Sequence, residues 1–164
     1  MKKHFLYFTI LFISVLATAQ TEQLDLCNDL KEAATIVNDP DGFKKGEARP
    51  NDMWIYYDCN LTFQGATRSE VHYFADGKLS NVLQYFGETL SQDQALTMYD
   101  QLANDFRKCY SAIKVEPGAL GLRNDLSFQI HDNMIARLAI YYGEPSASNE
   151  KTYKVFFDLY NIGE

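Results

Sequence analysis

Between residues 90 and 113 the apolar positions recur at steps of three and four. Ala95, Met98, Tyr99, Leu102, Phe106, Cys109 and Ile113 fall in one stripe, while Asp93, Asp100, Gln101, Asn104, Arg107 and Lys108 lie mostly outside it. That period predicts an amphipathic helix with a buried face. Ser91 followed by Gln94 has the form of a capping box, Asp93 sits in the first turn, and Arg107 and Lys108 sit in the last, where each charge suits the helix dipole. A shorter helix is predicted over residues 24–37 from Leu26, Cys27, Leu30, Ala33, Ala34 and Val37. The run Asn38-Asp39-Pro40-Asp41-Gly42 ends it, because proline disfavours helical geometry in the residue before it. Asp39-x-Asp41-Gly42 lacks the further ligands of a calcium loop and reads as an ordinary turn.

Elsewhere the period is two. Over residues 54–63, Ile55, Tyr57, Cys59, Leu61 and Phe63 point one way, and Trp54, Tyr56, Asp58, Asn60 and Thr62 the other. Residues 67–75 and 78–86 flank Asp76-Gly77, the pair favoured in two-residue type I′ hairpin turns. Residues 126–131, 134–142 and 153–160 alternate in the same way, and the stretch between 143 and 150 reads as an exposed loop. The predicted order is α-βββ-α-βββ. It implies an α+β fold, two helices packed on one face of an antiparallel sheet, with the order suggesting a doubled structural unit. This succession resembles the arrangement of type III secretion chaperones and other small α+β binding folds, a resemblance of layout that carries no chemistry.

The first residues change the picture of compartment. Lys2 and Lys3, the apolar run from Phe5 to Leu16, and Ala17-Thr18-Ala19 have the three parts of a secretory signal peptide, so residues 1–19 are expected to be a leader and residues 20–164 one domain. Gln20 follows the expected cleavage point where a lipoprotein would carry cysteine. No later stretch is long and apolar enough for a membrane helix, so a periplasmic or secreted protein without membrane insertion is expected. The formal net charge is −7, and without the two leader lysines it becomes −9. Nucleic acid is excluded as the expected partner, since it requires a basic footprint.

Three cysteines in an exported chain predict one disulfide and one spare thiol. Cys27 with Cys109 is the first choice, Cys59 with either helix the second, and three buried thiols the third. One argument runs against the first choice. Three strands that each reverse direction would leave the helices parallel, with early Cys27 far from late Cys109.

Candidate chemistry is sparse. His72 and His131 both fall on strands without a cysteine or acidic pair at metal-ligand or catalytic spacing, and no nucleotide, phosphate or serine-nucleophile motif is present. No cofactor is expected. The surplus is aromatic: the sheet face away from the helices is expected to display Trp54, Tyr56, Tyr141, Phe156 and Tyr160, with Arg137 and the charged Lys154 and Asp158 among them. Trp54, Tyr56, Arg137, Tyr141, Phe156 and Tyr160 are therefore the candidate binding residues for a protein, peptide or glycan. The preferred expectation is an exported, non-enzymatic interaction protein of inhibitor, immunity or envelope-accessory type. The alternatives are a small hydrolase whose site assembles only in three dimensions, and a soluble carrier of an apolar ligand between helices and sheet.

Overall fold

The computed structural model describes residues 25–36, 39, 41–51, 53–143 and 150–161. The expected leader at 1–19 and most of the expected loop after residue 143 lie outside them. Two helices and eight strands follow in the order α1 (Leu26–Ile36), β1 (Lys44–Pro50), β2 (Trp54–Cys59), β3 (Arg68–Phe74), β4 (Leu79–Leu90), α2 (Gln92–Arg107), β5 (Ala112–Pro117), β6 (Asn124–His131), β7 (Met134–Tyr142) and β8 (Tyr153–Asn161). All strands pair antiparallel in one sheet of order β1-β2-β3-β4-β8-β7-β6-β5. Each half of the chain is a four-strand meander. The two meet where β4 pairs with β8 at the centre.

Each helix is therefore followed by four strands, not three. The two additional strands, β1 and β5, lie at the two outer edges of the sheet. Neither alternates: β1 reads KKGEARP and is almost wholly exposed, and β5 reads AIKVEP with only Ala112 half-buried. Charge, proline and a register shift in each are the features that blunt an edge against further pairing. In β1 the shift falls between Lys45 and Arg49, where Gly46 takes a φ of 76° that other residues rarely adopt. Ile113, in phase with the stripe of α2 by sequence, belongs instead to β5 and is 53% exposed.

The capping box of α2 is complete. Gln94 N donates to Ser91 Oγ and Ser91 N donates to Gln94 Oε1. The helix ends at Arg107, earlier than its apolar period suggests, and five residues later the chain has entered β5. β2 also ends early, at Cys59, although Leu61 and Phe63 beyond it are buried as their spacing predicts. The Asp76-Gly77 hairpin closes with a three-residue loop rather than two. Gly77 N donates to Phe74 O, Phe74 N donates to Lys78 O, and Gly77 has a φ of 85°, so glycine supplies the single left-handed position such loops require. Asp39 and Asp41 form a turn in which Asp41 N donates to Asp39 Oδ1, and Asp41 ion-pairs with Lys44.

One large buried cluster joins Leu26, Leu30 and Ala33 of α1 and Ala95, Tyr99, Leu102 and Phe106 of α2 to Val71, Val82, Phe128, Leu138, Val155 and Phe157 of the strands. Phe106, Phe128 and Phe157 lie ring to ring within it. Gln84 is also fully buried there, and its bonds explain why: Phe63 N donates to its Oε1, and its Nε2 donates to Leu61 O and Ser69 Oγ. Those bonds anchor the segment after β2 beneath α1. Gln64 N donates to Asp29, and Asp25 N donates to Gln64.

Cys27 and Cys109 form a disulfide with their α-carbons 5.5 Å apart, and Cys59 is a buried free thiol. The bond joins the first turn of α1 to the residue just past the cap of α2. With four antiparallel strands between the helices the chain reverses five times, an odd number, so α2 runs back towards the beginning of α1, where Cys27 lies. The edge strand β1, unseen in the sequence, removes the objection to this pairing.

Candidate functional site

In an antiparallel sheet, directly opposed residues share a face, so the register sorts the side chains that are turned away from the large cluster. Trp54 stands opposite Phe74. A second row runs Arg49, Tyr56, His72, Asn81, Tyr160, Ile135. A third runs Lys45, Asp58, Glu70, Leu83, Asp158, Arg137, Ser127, Lys114. A fourth runs Arg68, Tyr85, Phe156, Ala139, and a fifth pairs Tyr141 with Lys154. All six residues named from the sequence, Trp54, Tyr56, Arg137, Tyr141, Phe156 and Tyr160, thus stand on one face.

They do not form one aromatic platform. Trp54 and Tyr56 sit on β2, the other four sit on β7 and β8, and β3 and β4 lie between. Phe156 is not displayed, as the sequence suggests, but buried at 8% exposure in a second, smaller cluster with Tyr85 and Ala139, against which Leu83 and Tyr141 pack. Its ring lies 5.4 Å from that of Tyr141 and 6.1 Å from that of Tyr85. Arg68 covers Tyr85 at 4.1 Å, and burial pushes the Tyr85 phenol up to about 12. Trp54, Tyr56, Tyr141, Tyr160 and Arg137 are half-buried, and Phe74 and Met53 are exposed at the Trp54 end. Trp54 and Phe74 pack at 5.0 Å there.

Between these aromatics runs a lattice of paired charges. Arg49 NH2 lies 2.7 Å from Asp58 and 3.4 Å from Glu70, and Arg68 bridges Glu70 at 2.6 Å and Glu88 at 2.6 Å. His72 Nε2 faces Glu70 Oε2 at 3.6 Å, a long polar contact. His72 first, then Arg68 and Arg49, hold the Glu70 carboxyl below the usual carboxylate range against the opposing effect of burial. On the other half, Asp158 is 6% exposed, accepting from Arg137 NH2 at 2.6 Å and from Asn81 Nδ2 at 2.9 Å. Arg49 and Arg137 also lie over the rings of Tyr56 and Tyr160.

Two polar atoms of this face, His72 Nε2 and Arg137 Nε, are enclosed without a hydrogen-bond partner among the described residues. An enclosed N–H without an acceptor is costly, and an incoming carbonyl or carboxylate relieves the cost. The arrangement offers aromatic contact area, fixed guanidinium groups and unused donor capacity. Among the described residues no cluster of three or more histidine, cysteine or acidic side chains is placed to hold a metal ion.

Arg68 and Glu70 are the main residues of this face that sequence reasoning passed over, and His72 was weighed only as catalytic or metal chemistry, although the alternation of β3 sets all three on the face away from Val71 and Tyr73. Tyr85 was hidden because Val82, Leu83, Tyr85 and Phe86 form a nearly continuous apolar run whose phase is ambiguous. No helix among the described residues is long and apolar enough to cross a membrane. The chain matches no protein-family model, no curated protein and no solved structure, so its resemblance to secretion chaperones remains one of predicted layout.

Proposed function

We propose that this chain is an exported, non-enzymatic binding protein that takes up a protein partner on the sheet face built around Trp54, Tyr56, Arg137, Tyr141 and Tyr160, in the manner of an inhibitor, immunity or envelope-accessory protein. In the proposed architecture α1 and α2 lie together on the opposite face, and the symmetric strand order is that of a duplicated α-ββββ unit. The observation that carries the reading is the furnishing of the face itself. Arginine, tyrosine, tryptophan and phenylalanine fill ten of its 22 register positions, the residue types enriched at the centres of protein interfaces, and its carboxylates are already paired. The five rows hold 22 positions, and at about 4.8 Å between strands and about 7 Å between rows they cover about 740 Å² of sheet. That is close to the roughly 800 Å² each partner contributes to a standard interface.

Arg137 Nε and His72 Nε2 favour a partner whose contacting loop presents carbonyl or carboxylate acceptors. The disulfide supports export, because such bonds persist in oxidising compartments. The carrier reading gains nothing from the centre of the packing between α2 and the sheet, where the rings of Phe106, Phe128 and Phe157 meet.

A photo-crosslinking amino acid placed at Tyr56, at Tyr160 and, as a control, at exposed Gln101 on α2 tests the reading in the cells that make the protein. An adduct of one defined mass at Tyr56 and Tyr160 but not at Gln101 is the expected result. Adducts at Gln101 alone, or none at the two tyrosines, would overturn it.

A further inference from the structure

Away from that face, a cleft of about 380 Å³ opens between α2 and the outer strands β5 and β6. Its size falls within the range of about 300 to 1,000 Å³ typical of small-molecule clefts. Ala103 and Leu126, each 2% exposed, form the apolar floor, and Val115 of β5 stands over it 56% exposed. The rim carries a different chemistry. At one end Arg123 grips Asp100 in a two-pronged contact, Nε to Oδ1 at 2.8 Å and NH2 to Oδ2 at 2.7 Å, so those two charges cancel. Arg107 lies seven residues along α2 from Asp100 and therefore lines the same side of the helix. No hydrogen bond or ion pair of Arg107 is found among the described residues. Tyr99 takes no further part as a donor, since its hydroxyl already donates to Asn124 O.

The cleft thus combines an apolar floor with one guanidinium, that of Arg107, which makes no hydrogen bond or ion pair among the described residues. One guanidinium without a hydrogen-bonded acid can pair with a monoanion. A guanidinium fork also fits the two oxygens of a carboxylate. We propose that this cleft is a binding site for a small monocarboxylate with a compact aliphatic body, the carboxylate at Arg107 and the aliphatic part between Ala103, Leu126 and Val115. The site is independent of the sheet face, so either proposal can fail without the other.

Amide chemical shifts of the full chain, titrated with N-acetyl-leucine and with its neutral analogue N-acetyl-leucinamide, test it. The acid should give saturable shifts at Ala103, Arg107, Val115 and Leu126, and the amide should bind at least tenfold more weakly. Arg107→Gln and Val115→Glu, both at exposed positions that leave the core intact, should each weaken the acid at least tenfold. No saturable shift at these amides at millimolar acid, equal response to acid and amide, or unchanged affinity in Arg107→Gln would each overturn the proposal.

Discussion

Arg137 and Asp158 stand opposite one another on β7 and β8, and the guanidinium donates at 2.6 Å to a carboxylate whose side chain is 8% exposed. Removing one member of an enclosed pair strands the other. Asp158→Ala should therefore cost about 2 kcal/mol in chemical denaturation, and Arg137→Met combined with Asp158→Leu should recover part of that loss. A loss below about 0.5 kcal/mol in the single variant would mean the pair is a surface decoration.

The disulfide between Cys27 and Cys109 spans a sequence separation of 82. By restricting the unfolded chain, a loop of that length contributes about 4 kcal/mol, so reduction or Cys27→Ser with Cys109→Ser should lower Tm by about 10 °C. Non-reducing peptide mapping should recover one linked pair and a free Cys59. A linked peptide containing Cys59 would contradict the connectivity.

Ser91 closes the N-terminus of α2 with both halves of its capping box made. Ser91→Ala should cost about 1 kcal/mol, measured by the midpoint shift in urea, with little change in slope. No shift would show that α2 is held by packing alone.

Glu70 and Asp125 should respond to pH with opposite sign. His72, with Arg68 and Arg49, depresses the Glu70 carboxyl, so its stabilising contribution is present above the ordinary carboxylate range and is lost as pH falls through the lowered folded value. Burial raises the Asp125 carboxyl, so its contribution is full below the ordinary carboxylate range and is lost as pH rises through the elevated folded value. Glu70→Gln should destabilise at pH 7 and flatten the acid limb of the stability curve. Asp125→Asn should stabilise at pH 7 and lose that advantage in acid. Urea midpoints from pH 3 to 7 measure both, and parallel curves for the two variants would contradict the assignment.

The helix α2 was legible because its stripe and its caps are local: Ser91, Gln94 and Leu102 announce themselves within a few residues. β1 and β5 were not, because an exposed edge strand has no apolar face to betray it, and Ile113 continued the helical period by coincidence. Missing β1 changed the parity of the chain and made the correct Cys27–Cys109 pairing look strained. The aromatic face was legible as alternation along β2, β7 and β8. The burial of Phe156 was not, because Tyr85 and Tyr141, which enclose it, arrive from other strands. The Arg49, Arg68, Glu70 and His72 lattice likewise exists only once register sets β1, β2, β3 and β4 side by side.

The most direct test of the sheet-face reading is hydroxyl-radical footprinting of the protein in its native compartment against the purified chain. Trp54, the single tryptophan of the sequence, together with Tyr56, Phe74 and Tyr160 should lose reactivity in the native compartment, because a bound partner would cover them. Met98 on α2 and Tyr142, which stands opposite core residue Tyr153, should react equally in both samples. Equal labelling of Trp54, Tyr56, Phe74 and Tyr160 in the two samples, or protection confined to Met98 and Tyr142, would contradict the account.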